Sequence, residues 1–194
     1  MTDRPIIVSP PMIIAAMNDT KTMTRRLAWT KTTEIHHSDG PVFHKNGWEC
    51  VDSPGDGFEV WGKPSIWQKV EPGDRLWVRE RFARKAIGYF FPSDVDGTVY
   101  QSWSPSIHMP REASRMTWIV TGTKIERLQD ISEADAKAEG AKRLPTPIMP
   151  DSTHRRGFEH LWNMLHGRGA WDANPEVVAI TFIVHMTNID RMAA

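Results

Sequence analysis

Arg115–Leu128 reads R-M-T-W-I-V-T-G-T-K-I-E-R-L. Its β-branched and aromatic content predicts one long strand, with Gly122 at a bend. A second stretch, Glu176–Met186, reads E-V-V-A-I-T-F-I-V-H-M and is nearly all apolar. Such a run belongs to a strand covered on both faces, so it is expected at the centre of a sheet. Arg75–Phe82, R-L-W-V-R-E-R-F, alternates as a half-buried strand does. Leu76, Val78 and Glu80 share one face there, and Trp77, Arg79 and Arg81 the other. Pro5–Ser9 reads as a first strand, and T-V-Y-Q-S, after a turn at Asp94–Gly97, as a returning one.

Three short helices fall between these strands. Pro10–Met17 opens on two prolines, which a first helical turn tolerates, and puts Ile13, Ile14 and Met17 on one stripe. Asp130–Gly140 has Ser132 as N-cap and Gly140 as the left-handed residue that ends it. His154–His166 carries a stripe of Phe158, Leu161, Trp162 and Leu165 and stops at Gly167 and Gly169. Strands interrupted by a few short helices predict a mainly β, α+β protein, a partly open β-barrel, in one domain over residues 1–194. From about 30 to 67 the chain is polar and turn-rich, with Asn46-Gly47 and Asp56-Gly57 as hairpin-type turns. This segment is read as an inserted flap of one or two short hairpins. Lys142–Asp151 is a proline-rich connector.

The 194 residues carry 24 Lys plus Arg and 24 Asp plus Glu, a formal charge of zero. That balance argues against a dedicated non-specific nucleic-acid binder, while leaving room for a local basic pocket. A single cysteine, Cys50, rules out an internal disulfide framework and fits a reducing cytoplasm. His36, His37, His44 and Cys50 fall in the flap at spacings that match no standard zinc pattern, so no metal is expected. The apolar start is broken by Pro10-Pro11 and lacks a basic leader, so no secretory signal is expected, and no stretch has the ~20 apolar residues that span a bilayer. Nine tryptophans exceed what this length usually carries; most suit a core, and some offer faces for base stacking.

Chemistry is concentrated in Asn18–Leu27, N-D-T-K-T-M-T-R-R-L. Lys21 precedes Thr24 by three residues on what reads as a tight connection leaving the first helix. A solvated basic loop would use these residue types too. A buried Lys21 would instead lose part of its ordinary pKa of about 10.4 and become able to take a proton from a neighbouring hydroxyl. Glu80 points inward with Leu76 and Val78, so its carboxylate needs either an arginine partner or a substrate. Glu139 sits in the last turn of its helix, where the dipole disfavours negative charge, so it is either solvated or held by a cation. Trp103–Arg111, W-S-P-S-I-H-M-P-R, is an irregular loop that sets Trp103, His108 and Arg111 at the edge of a pocket.

Four motifs, in order, resemble the ASCH-domain superfamily along nearly the whole chain. They are K-T-M-T-R-R, P-G-D-R-L-W-V-R-E, the loop W-S-P-S-I-H-M-P-R and L-Q-D-I-S-E-A-D-A-K-A-E-G, with an F-x-x-L-W helix after the last. The loop and that helix are similar to a larger, phage- and prophage-associated branch. The resemblance implies a PUA-like barrel and, from compact bacterial members, an N4-acetylcytidine amidohydrolase with Lys21, Thr24 and Glu139 as catalytic residues. Arg26, Glu80, Trp103 and His108 then become substrate contacts, with Arg26 or main-chain N–H groups serving the oxyanion. No metal or cofactor is implied, and the partner is a nucleoside. Glu139 either serves the lysine and the leaving amine or activates a water directly. Other members of the superfamily imply RNA binding or ribonuclease activity, with Lys21, Arg25 and Arg26 on phosphate and Trp103 under a base. The flap and the long connector have no counterpart in the compact members, and the oligomeric state is not indicated.

Overall fold

A computed structural model describes residues 1–30, 32–37, 40–45, 63–94, 102–144 and 152–192, with 32–37 and 40–45 as backbone only. Five strands form a mixed sheet: β1 (Asp3–Ile7), β5 (Arg75–Arg79), β8 (Thr117–Arg127), β9 (Glu176–His185) and β2 (Met23–Leu27), in that spatial order. β1 runs parallel to β5; the other pairings are antiparallel. β8 and β9 pair from Thr117 opposite His185 to Arg127 opposite Glu176, and the register slips between Val120 and Gly122. The bend expected at Gly122 is therefore a β-bulge.

The apolar run of β9 follows from what covers it. Val178, Ile180 and Phe182 face one core with Ile6, Leu76, Val78 and Trp118, over which α1 (Pro10–Met17) lays Ile13 and Ala16. Phe182 stacks on Trp118 at 3.9 Å with the rings 2° from parallel. Val177 faces a second core built by Leu128, Ile131, Ala136, Phe158, Trp162 and Trp171. That core is closed by α2 (Glu133–Ala138) and α3 (His154–His166). Both faces of β9 are covered from Val177 to Ile180, so that half shows no polar alternation, whereas Ile183 farther along is 55% exposed.

Two helical stripes differ from expectation. α1 buries Ile13 and Ala16, while Ile14 and Met17 are exposed. α3 buries Phe158 and Trp162, and Leu165 is exposed. Each helix packs on one side only, and only the half of its apolar stripe nearest the sheet is covered. The flap contains a strand pair, β3 (Thr32–His37) with β4 (Gly40–Lys45). A further hairpin, β6 (Ala83–Lys85) with β7 (Gly88–Phe90), was not foreseen, since three-residue strands leave no readable period. The expected returning strand at 98–102, apart from Ser102, lies outside the described residues, as do Asn46-Gly47, Asp56-Gly57, Cys50 and the side chains of His36, His37 and His44. Among the described residues, no helix is long and apolar enough to cross a membrane.

Candidate active site

The site begins where α1 ends. Asp19 takes a left-handed conformation, φ 54°, and the N–H groups of Thr20 and Lys21 both donate to the Ala15 carbonyl. This turn sends Lys21 beside the end of α2, where Lys21 and Glu139 form an isolated antiparallel bridge and Thr22 N–H donates to Ala138 O. α2 is fixed at its start by Ser132, whose Oγ accepts from Asp135 N–H. It is fixed at its end by Gly140, φ 78°, where a Cβ would stand 3.0 Å from Ala15 Cβ and 3.3 Å from Lys21 Cβ. The approach of the two segments therefore needs glycine at 140.

Lys21 is 3% exposed. Its Nζ donates to Met23 O at 2.7 Å, Glu139 O at 2.9 Å and Glu139 Oε2 at 2.8 Å, which uses all three ammonium donors. Burial pushes the amine below the ordinary lysine range; the Glu139 carboxylate opposes that, and the charges of Arg26 and Arg25 add to it. The other oxygen of Glu139, Oε1, accepts from Arg25 Nη1 at 3.2 Å. Arg25 in turn donates Nε and Nη2 to Glu126 Oε1 and Nη2 to Asp135 Oδ2, with its guanidinium 5.8 Å from the Phe158 ring centre. At the surface Lys124 closes the network on Glu126 and Asp135. The buried amine and carboxylate thus sit at the inner end of a ladder of alternating charge.

Thr24 is not on a connection, as its sequence setting suggested, but inside β2, opposite Ile180 and 5% exposed. The amine of Lys21 binds the carbonyl of the Met23–Thr24 peptide, so nitrogen and threonine are neighbours along one backbone unit. The Thr24 hydroxyl is not among the three acceptors of the amine. Arg26 shares the Thr24 side of β2 and is anchored by Nη2 to Ile7 O at 2.6 Å, with its guanidinium 5.4 Å from the Trp67 ring. Its buried Nε has no partner among the described residues.

Of the remaining expected contacts, none donates to or accepts from Lys21, Thr24 or Glu139 among the described residues. Glu80, 1% exposed, is taken by Arg115 through both oxygens and by Ser93 Oγ, which is the ion-pair reading of its inward position. Trp103 is half-buried, and His108 is exposed at the end of the 3-10 turn Ser106–His108. Arg111 is bound by Asp190 and Asp3. Arg25 was expected only as a phosphate contact in the RNA-binding reading, and Glu126 and Asp135 were not foreseen as site residues, although Asp135 and Glu139 share a helix face by i, i+4 spacing. Among the described residues no group of three or more His, Cys, Asp or Glu is arranged to hold a metal ion. Comparison with protein-family models, with curated proteins and with solved structures finds no match for this chain.

Proposed function

We propose that this protein is a metal-independent amide hydrolase of the ASCH kind, built on a partly open PUA-like barrel, that removes the acyl group from N4-acylated cytidine compounds in the cytoplasm. The observation that carries the reading is the direct contact of the Lys21 amine with the Glu139 carboxylate at 2.8 Å, in a dry site joining segments 118 residues apart. A proton passed along that hydrogen bond gives a neutral amine and a carboxylic acid, the two forms that amide cleavage needs. Neutral Lys21 then takes the Thr24 proton as Oγ1 bonds to the acyl carbon, and protonated Glu139 gives its proton to the departing N4 of cytidine. Water next attacks the acyl-threonine, losing its proton to Glu139 while Lys21 returns a proton to Thr24. The products are cytidine and a carboxylic acid, and return of the proton from Glu139 to Lys21 restores the ammonium–carboxylate pair. Arg26 Nε, a buried donor still without a partner among the described residues, suits the oxyanion, a term worth about 3–4 kcal/mol. The five-stranded mixed sheet with α1 laid over one face supports the barrel reading.

Phosphate binding by Lys21 and Arg25 has less support, because both are buried and committed to carboxylates. The test is to incubate the protein with N4-acetylcytidine and follow the ultraviolet change as the acyl group leaves. Turnover that disappears in Lys21→Ala, Thr24→Ala and Glu139→Ala is the expected result. Absence of turnover in the unaltered protein, or full activity in Thr24→Ala, refutes the covalent mechanism.

A further inference from the structure

A groove of about 1020 Å³ lies between α1 and α3 and runs over the end of α2. Its lining includes Thr22 and Gly140 but not Lys21, Thr24 or Glu139, so it backs onto the proposed active site without forming part of it. Ile14 from α1, Leu161 and Met164 from α3, and Leu144 between them make it apolar. Met164 is 69% and Ile14 44% exposed, and the sequence pattern had placed Ile14 and Leu161 in helical stripes meant for burial. Two neighbouring helices thus turn apolar side chains toward one concavity, Ile14 from α1 and Leu161 and Met164 from α3, while Met17 and Leu165 lie outside its lining. Large apolar side chains gathered in this way mark a binding surface rather than ordinary scattered exposure.

The border of the groove is cationic. Lys137, Lys142 and Arg143 line it, with His154 and His160, against the single carboxylate of Asp19. We propose that the groove docks an amphipathic helix of another protein, its apolar stripe seated between α1 and α3 and its flanks acidic. Helix-in-groove recognition uses anchors at i, i+3, i+4 and i+7, and cations flanking the groove choose among partners by charge. A second copy of this chain would bring the same cations face to face. A membrane surface is met by apolar side chains that protrude, whereas these line a hollow.

The probe is a fluorescein-labelled synthetic helix with leucines at that spacing and glutamates on both flanks, tested by anisotropy against the full chain. The control carries the same leucines with lysines on the flanks. The glutamate peptide is expected to bind about tenfold or more tightly than the control, to weaken as salt is added, and to be lost in Met164→Glu. Met164 is exposed, so that variant keeps its fold, and unchanged circular dichroism checks it. Equal binding of the two peptides, no binding, or binding indifferent to Met164→Glu overturns the proposal. A dimer seen by sedimentation and dissolved by Met164→Glu overturns it in favour of a second copy. Flotation with anionic vesicles, lost in the same variant and without peptide binding, overturns it in favour of a bilayer.

Discussion

Glu80 and Glu139 are equally buried and equally well bonded, yet their partners make them different objects. Glu80 is gripped by the planar fork of Arg115, which also holds Asp94 and Ser93 and lies 4.1 Å from the Phe91 ring centre. Burial works against the Arg115 charge, but its bonds to Glu80 and Asp94 overcome this and hold it above the ordinary arginine range. No proton can leave such a pair near neutrality. Glu139 faces an amine on one oxygen and Arg25 on the other, and burial has moved the amine the opposite way, below its usual range. Similar depth yields a clamp in one place and, in the proposed mechanism, a proton donor–acceptor pair in the other. The difference is that an arginine takes both oxygens of Glu80, while at Glu139 a lysine takes one and Arg25 the other.

The largest expected effect separates the two pairs by turnover. Lys21→Met is expected to lower the hydrolysis rate about 10³-fold or more, the upper part of what a general base contributes. Arg115→Met, assayed per folded molecule, is expected to leave it within about twofold of the unaltered protein. A comparable loss from both would erase the distinction.

Stability is expected to treat the two pairs unequally. Removing Arg115 strands the buried Glu80 carboxylate, at a cost of about 3–5 kcal/mol by urea unfolding, whereas removing Lys21 costs less because Arg25 still holds the other oxygen of Glu139. Pairing Lys21→Met with Glu139→Gln is expected to recover much of that loss while leaving turnover absent, because the charge is gone but so is the base. Smaller still is Ser132→Ala, which removes the cap of α2 and is expected to cost about 1 kcal/mol.

Acid distinguishes the outer rungs of the ladder from the inner one. Burial raises the Asp135 pKa, but Lys124 and Arg25 outweigh it and hold the carboxyl below its ordinary value. Its contribution is therefore complete above the unfolded value near 3.8 and is lost as pH falls through the lower folded value. Lys21 runs in the other sense. The folded protein binds fewer protons at this amine than the unfolded chain between the lowered folded value and 10.5, so stability rises with pH across that window. Urea midpoints measured across both ranges check the two signs.

Much of this was readable in the chain. The long strand with its bend at Gly122, the buried half of β9, the cap at Ser132, the left-handed Gly140 and the bounds of α3 all follow from local rules. Such rules act within a few residues, which is why they are visible. The partner of Glu80 was not readable, since an inward carboxylate announces a need and not which of many arginines meets it. Arg25 looked like its neighbour Arg26, yet strand alternation sends one to Glu126, Asp135 and Glu139 and the other to Ile7 and Trp67. The outward halves of the α1 and α3 stripes misled for a related reason: periodicity reports an apolar face, not what covers it.

The most direct measurement is a pH titration of the Lys21 ammonium by ¹⁵N-edited NMR, assigned with Lys21→Arg. The expected result is a titration below the ordinary lysine value of about 10.4 that moves lower still in Glu139→Gln, where the opposing carboxylate is gone. A Lys21 amine that keeps its proton to or beyond that value would contradict the central claim and leave the pair a clamp like that of Glu80.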